Sequence, residues 1–179
     1  MPELILDPRY WSKRYRDAPK DQLHHAIFKC PLDKWLRIEE KHKQLLSQTV
    51  GHTQSVLDVG CGYGRLLNLL GPAYTGKYVG VDLCHEFIDV ATDRYEHRTH
   101  PTYFLHGDIL DVRFLPTKFV AEQPENKFDW AILISVRPML IRHCGQEYWD
   151  RVEQHLRTIA HKMLFLEYDE DDNGTVITN

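Results

Sequence analysis

A chain of 179 residues with 42% hydrophobic and 27% charged residues has the length and balance of one globular domain, with enough apolar sequence for a real core, and this excludes disorder, collagen-like repeats and coiled coil as overall classes. No apolar run approaches the ~20 residues that cross a bilayer, and Met1 to Asp7 lacks the basic flank and long apolar stretch of a signal peptide. The net charge of −4 argues against a nucleic-acid partner, although residues 1–50 hold ten Lys/Arg against seven Asp/Glu and residues 51–179 hold twelve against nineteen.

The first fifty residues stand apart from the rest. They begin with a stretch rich in aromatics and histidine (Tyr10, Trp11, Tyr15, His24, His25, Phe28) and continue into a predicted helix, Asp33 to Gln48, with apolar Trp35, Leu36, Ile38, Leu45 and Leu46. This is too short for a domain, so residues 1–50 are expected to cover one end of a core made by residues 51–179. In that core, short apolar runs alternate with helical patterns. Ser55 to Val59 predicts a strand, Tyr63 to Leu70 a helix stopped by Gly71-Pro72, Tyr78 to Val81 a strand and His85 to Tyr95 a helix. Tyr103 to Leu105 predicts a short strand. Phe128 to Ser135 predicts another, whose unbroken apolar run implies burial on both faces. A helix over Gln146 to His161, with Tyr148, Trp149, Val152, Leu156 and Ile159 on one side, leads to a fifth strand, Met163 to Tyr168. Such alternation implies right-handed crossovers and a mostly parallel, doubly wound α/β sheet. Ligands of these sheets sit beyond the carboxyl ends of the strands. The four cysteines (Cys30, Cys61, Cys84, Cys144) have no metal-ligand spacing; read as free thiols, they point to a reducing, cytoplasmic location.

The most informative segment is Asp58-Val59-Gly60-Cys61-Gly62-Tyr63-Gly64-Arg65, which leaves a strand and opens a helix. Its glycines permit a sharp turn and close approach of a ligand to the main chain. The spacing is Gly-x-Gly-x-Gly, and Arg65 stands where the dinucleotide fingerprint needs its third glycine. The segment resembles the first motif of class I S-adenosylmethionine (SAM)-dependent methyltransferases, and the order and spacing of residues 55 to 168 fit that family. The resemblance implies a Rossmann-like sheet and SAM as cofactor, with S-adenosylhomocysteine (SAH) as product. It assigns cofactor binding to Asp58, Gly60, Cys61, Gly62 and Gly64. Asp82 is assigned to the ribose hydroxyls, with Leu83 beside it. Asp108 and Ile109 are assigned to adenine, and Ile134 and Ser135 to the neighbourhood of the transferred methyl. Tyr10 to Tyr15 is similar to an aromatic element that folds over the cofactor in small methyltransferases. Trp11 and Tyr15 lie four apart on one helical face, an aromatic ring over a sulfonium gains cation–π attraction, and Arg14 is placed to pair with the cofactor carboxylate.

The chain departs from the family at its C-terminus, where two full further strands do not fit. The sheet is expected to be shortened, its edge met by Thr175 to Thr178 returning through the Asn173-Gly174 turn, by the N-terminal segment, or by a second copy in a homodimer. Neither the Asn-Pro-Pro-Tyr element of amino-directed DNA methyltransferases nor a Pro-Cys nucleophile follows the fourth strand. The segment from Ser135 to His143 reads instead as a loop facing the acceptor. The resemblance implies methyl transfer by in-line displacement, and the short chain, the cover segment and the lack of nucleic-acid motifs point to a small-molecule acceptor. Arg137 and Arg142 hint at an anionic one, and His143 or His25 is the candidate general base. A protein or RNA acceptor held by the basic first fifty residues, or a non-catalytic SAM-binding subunit, are the alternatives. A nicotinamide enzyme is opposed by the glycine spacing.

Overall fold

The computed structural model describes residues 5–111, 127–167 and 176–178. Two short helices, α1 (Pro8–Asp17) and α2 (His24–Ile27), precede a long α3 (Leu32–Thr49). Then come β1 (Val56–Val59), α4 (Arg65–Leu70), β2 (Tyr78–Asp82), α5 (His85–Tyr95), β3 (Thr102–His106) and β4 (Phe128–Ile134). The chain continues through α6 (Val136–Cys144), α7 (Gln146–Ile159), β5 (Ala160–Leu166) and a short β6 (Val176–Thr178). The sheet runs β3-β2-β1-β4-β5-β6; the first five strands are parallel and β6 pairs antiparallel with β5, Leu166 opposite Val176. The order reverses between β1 and β4, and the crevice at that switch point is where the functional cleft opens.

The alternation of side chains on these strands sorts the core into two layers. Leu57 and Val59 of β1, Ala131 and Leu133 of β4 and Met163 and Phe165 of β5 meet Leu140 of α6 and Trp149, Val152 and Leu156 of α7. On the other face Val56, Trp130, Ile132, Leu164 and Leu166 meet Leu46 and Val50 at the end of α3 and Leu66, Leu67 and Leu69 of α4. With both faces covered, the central strands β1 and β4 are apolar except for Asp58 and Asp129.

The N-terminal elements are tied down by specific contacts. Helix α1 starts at Pro8, whose missing N–H costs nothing at the first position, and Asp7 caps it by accepting the Arg9 N–H at 2.9 Å. Ser12 donates to Glu86 at 2.6 Å and Arg16 pairs with the same carboxylate at 3.2 Å, which docks α1 on the start of α5. Helix α3 docks on the start of α4 through the buried Arg65, which pairs with Glu39, donates to His42 Nδ1 at 3.0 Å and lies 4.5 Å from the centre of the Trp35 ring. Burial and the Arg65 charge push the His42 imidazole down to about 3, so it stays neutral and accepts that bond.

Two differences from the sequence reading go beyond small shifts at element ends. The segment read as a loop from Ser135 to His143 is helix α6; Pro138 falls in its first turn, where its ring meets no preceding helical carbonyl and its missing N–H needs no partner. The predicted helix ending at His161 stops at Ile159 because Ala160 turns extended and pairs with Phe128. At the sheet edge β6 pairs with β5 as the returning segment was expected to do; the Asn173-Gly174 turn, Tyr168 and Thr175 lie outside the described residues.

Candidate functional site

The cleft is floored by the loop after β1. Gly60, Gly62 and Gly64 take φ angles of 73°, 51° and 78°, a left-handed region that side-chain-bearing residues rarely adopt. Space is as tight as the backbone is bent. A Cβ on Gly60 would lie 2.6 Å from Val136, and one on Gly64 would lie 2.6 Å from the Tyr95 ring. The loop is held to β2 by main-chain bonds, Gly60 N–H donating to Val81 O at 2.8 Å and Cys61 N–H to the same oxygen at 3.1 Å. Asp82 completes this brace. One of its carboxylate oxygens accepts the Gly62 N–H and the other the Cys84 N–H, each at 2.8 Å. A carboxylate has about four lone-pair sites, so two remain for a ligand.

Asp58, two residues before the first glycine, is buried and accepts a hydrogen bond from the Tyr78 hydroxyl. Burial raises its carboxyl to about 7, against the lowering effect of that bond, and the Asp82 charge adds to the rise. Burial likewise lifts Asp82 to about 6, opposed by the Cys84 and Gly62 N–H groups. Cys61 is buried under the loop with its thiol pushed far up by burial and the two carboxylates, so it is an inert packing group.

An open cleft lies above this loop, with about 880 Å³ of space when the solvent at its mouth is included. Among the residues singled out from sequence, Trp11, Gly60, Gly62, Asp82, Leu83, Asp108, Ile109, Ile134 and Ser135 line it. Asp108 turns the chain after β3 by accepting the Leu110 N–H at 2.9 Å. Tyr148, at the start of α7, also lines the cleft; its hydroxyl is pushed up to about 12 by burial and then by the neighbouring Asp108 carboxylate. The apolar stripe of α7 was legible in sequence, but not that its first turn overhangs the cleft. Val136 and Met139, in the segment read from sequence as facing the acceptor, also line it, as does Ile27, which carried no sequence signal of its own.

The other expected residues do not line the cleft. Asp58 and Cys61 lie beneath it, and Gly64 sits under Tyr95 at the start of α4. Arg14 uses its guanidinium on the main chain of α2, donating to Ala26 O at 2.6 Å and to His25 O and Ile27 O at 3.3 Å each. It thereby ties α2 to α1 and leaves Ile27 against Gly62, with its Cδ1 3.1 Å from where a Cβ would stand. Tyr15 packs edge-on against Phe87 at 5.7 Å. His25 faces Cys30 O at 3.2 Å, and His143 lies in the last turn of α6, one turn past Leu140, the last residue of that helix to line the cleft. Arg137 lies over the Trp149 and Phe165 rings at 5.8 and 5.4 Å and faces Glu167 at 3.5 Å.

The profile of the methyltransferase-domain family matches residues 56–160. Among solved structures, a Pyrococcus horikoshii protein aligns with a TM-score of 0.57 at 23% identity, covering 79% of this chain and 61% of its own. The SAH-bound magnesium protoporphyrin IX methyltransferase of Synechocystis aligns with a TM-score of 0.57 at 17% identity, covering 89% and 65%. Phosphoethanolamine N-methyltransferase 1 of Haemonchus contortus, in complex with phosphoethanolamine and SAH, aligns with a TM-score of 0.65 at 13% identity, covering 90% and 31%. The chain therefore spans less than two thirds of the length of these neighbours, which share its fold. No curated protein sequence matches it.

Proposed function

The chain belongs to the methyltransferase-domain family, and from that premise we propose that it is a class I SAM-dependent methyltransferase acting on a small-molecule acceptor. The observation that carries this reading is Asp82, held at the edge of the cleft by two backbone N–H groups beside a side-chain-free turn. The residues fit SAM. The left-handed glycines keep side chains out of the turn, and Asp82 retains acceptor sites for two ribose hydroxyls. Asp108 and Ile109 would hold adenine, with Leu83 beside the ribose. When bound, SAM supplies an electrophilic methyl on a sulfonium with a neutral leaving group.

The protein's share of the chemistry is alignment and exclusion of water. Trp11 is fixed for this by its indole N–H, which donates to Ile5 O at 2.8 Å, so the ring presents a set face to a cation in the cleft. Residues 1–50 act as the cover and residues 51–179 as the SAM-binding core; support comes from Ile5, Leu6, Trp11 and Ile27, which reach the cleft lining from the N-terminal segment. Within that segment α3 packs against α4 and supports the core from the far face. Neither His25 nor His143 lines the cleft, so neither is assigned the role of base. Calorimetry with SAM, SAH and a nicotinamide dinucleotide tests the proposal: SAM and SAH bind with micromolar-class constants, and preferential dinucleotide binding would refute it.

A further inference from the structure

The cleft has a charged end and an apolar end. The charged residues that line it are Asp82 and Asp108, at the carboxyl ends of β2 and β3. At the other end the lining is Ile5, Leu6, Trp11, Val136 and Met139, and among the described residues no lysine, arginine or histidine lines the cleft. The polar atom of Trp11 is already spent on Ile5 O. The arginine nearest in sequence, Arg137, faces Glu167 and two aromatic rings instead.

One polar group at the boundary of these two ends has no task in the fold. Ser135 is the sole non-glycine residue with a left-handed backbone among the described residues, at φ 61°. It holds the N-cap position of α6, where a serine hydroxyl ordinarily accepts a helix N–H, yet it makes no such bond. Its Oγ is shielded from water and has no hydrogen-bond partner among the described residues. An unmet hydroxyl on a strained backbone is costly twice over, which is a reason to look for a ligand beside it.

Resting on the methyltransferase reading, we propose that the acceptor is an uncharged, largely apolar molecule seated between α6 and the N-terminal segment, with the Ser135 hydroxyl, after a side-chain rotation, as the polar group offered to it. An anionic acceptor, which Arg137 and Arg142 suggested from sequence, would be buried there against alkyl groups with no lysine, arginine or histidine of the described residues to pair with and two carboxylates at the far end. An uncharged ring gains burial without that penalty.

A matched pair of probes tests this on SAH-loaded protein. 2-Naphthol and 6-hydroxy-2-naphthoate share ring and hydroxyl and differ by one carboxylate. By calorimetry at pH 7, 2-naphthol should bind at least about tenfold more tightly. Met139→Arg, which places a cation in the apolar end, should abolish or reverse the preference. Equal or tighter binding of the naphthoate, binding of neither probe, or an unchanged preference in a folded Met139→Arg protein overturns the proposal. Failure of the wild-type protein to bind SAH overturns instead the methyltransferase reading beneath it.

Discussion

The two walls of the cleft are built by different means. The wall at the ends of β1, β2 and β3 is made of main chain and carboxylates, set by turns a few residues long: Gly60 to Gly64, Asp82 with Cys84, and Asp108 with Leu110. The wall at the end of β4 is made of side chains from α1, α2, α6 and α7, segments far apart in sequence that meet only when the sheet has formed. Local turns fix polar atoms within a fraction of an ångström and suit a cofactor recognised by hydrogen bonds. A wall assembled from separate helices can change shape by single substitutions and suits the part of the site that chooses an acceptor.

The largest expected effect tests the first wall. Gly62→Val forces a branched side chain into a left-handed turn beneath Ile27. SAM binding should fall by at least about 100-fold, measured by calorimetry, while circular dichroism stays that of a folded protein; normal binding would remove the loop from the site. Asp82→Ala should weaken SAM binding by ~2–4 kcal/mol through loss of charge-assisted hydrogen bonds. Because it also frees the Gly62 and Cys84 N–H groups, hydrogen exchange at those two amides should accelerate. An unchanged affinity would detach Asp82 from cofactor binding.

Acidity distinguishes the walls next. Asp58 and Asp82 both titrate above the ordinary carboxylate value of 3.8, Asp58 at about 7 and Asp82 at about 6. Their folded forms bind protons that the unfolded chain releases, so their ionisation opposes folding as pH rises from about 4 to 7. Their contribution to the stability of the ligand-free protein is thus greatest below pH 4 and declines through that window. Asp58→Asn, which keeps an acceptor for the Tyr78 hydroxyl, should flatten the difference in urea stability between pH 5 and pH 7.5; an identical difference in the two proteins would contradict the assignment. With Asp82 in the proposed ribose-binding role, SAM affinity should run the other way, falling as pH drops through about 6 and the carboxylate becomes protonated.

The second wall should respond to loosening rather than to pH. Arg14→Met removes the donors that tie α2 to α1, and SAM affinity should fall by ~1–2 kcal/mol as Ile27 loses its seat. Exchange over residues 9–27 should then be faster and less slowed by SAM; identical protection in both proteins would reduce this segment to packing. The smallest effect is expected from Arg137→Met, which breaks the Glu167 pair and retains the stem over Trp149 and Phe165. Stability should drop by about 0.5–1 kcal/mol and SAM affinity should be unchanged, whereas a large loss of affinity would place Arg137 in the site after all.

The sequence by itself determined the parallel strands, the helices between most of them, and the first wall with Asp82 and Asp108. Each of these rests on interactions between near neighbours: alternating apolar runs, glycines that alone tolerate the turn, carboxylates that accept the next free N–H. Only the tertiary structure decided that Arg14 is spent on α2 carbonyls, that Arg137 faces Glu167, that His25 and His143 stand away from the cleft, and that Tyr148 and Ile27 line it. A long side chain can satisfy its charge on any partner within several ångströms, and which partner arrives depends on how distant helices pack. Helix α6 shows the same division: the segment from Ser135 to His143 reads as a loop in the sequence, and Pro138 is tolerated in a helix there because it falls in the first turn.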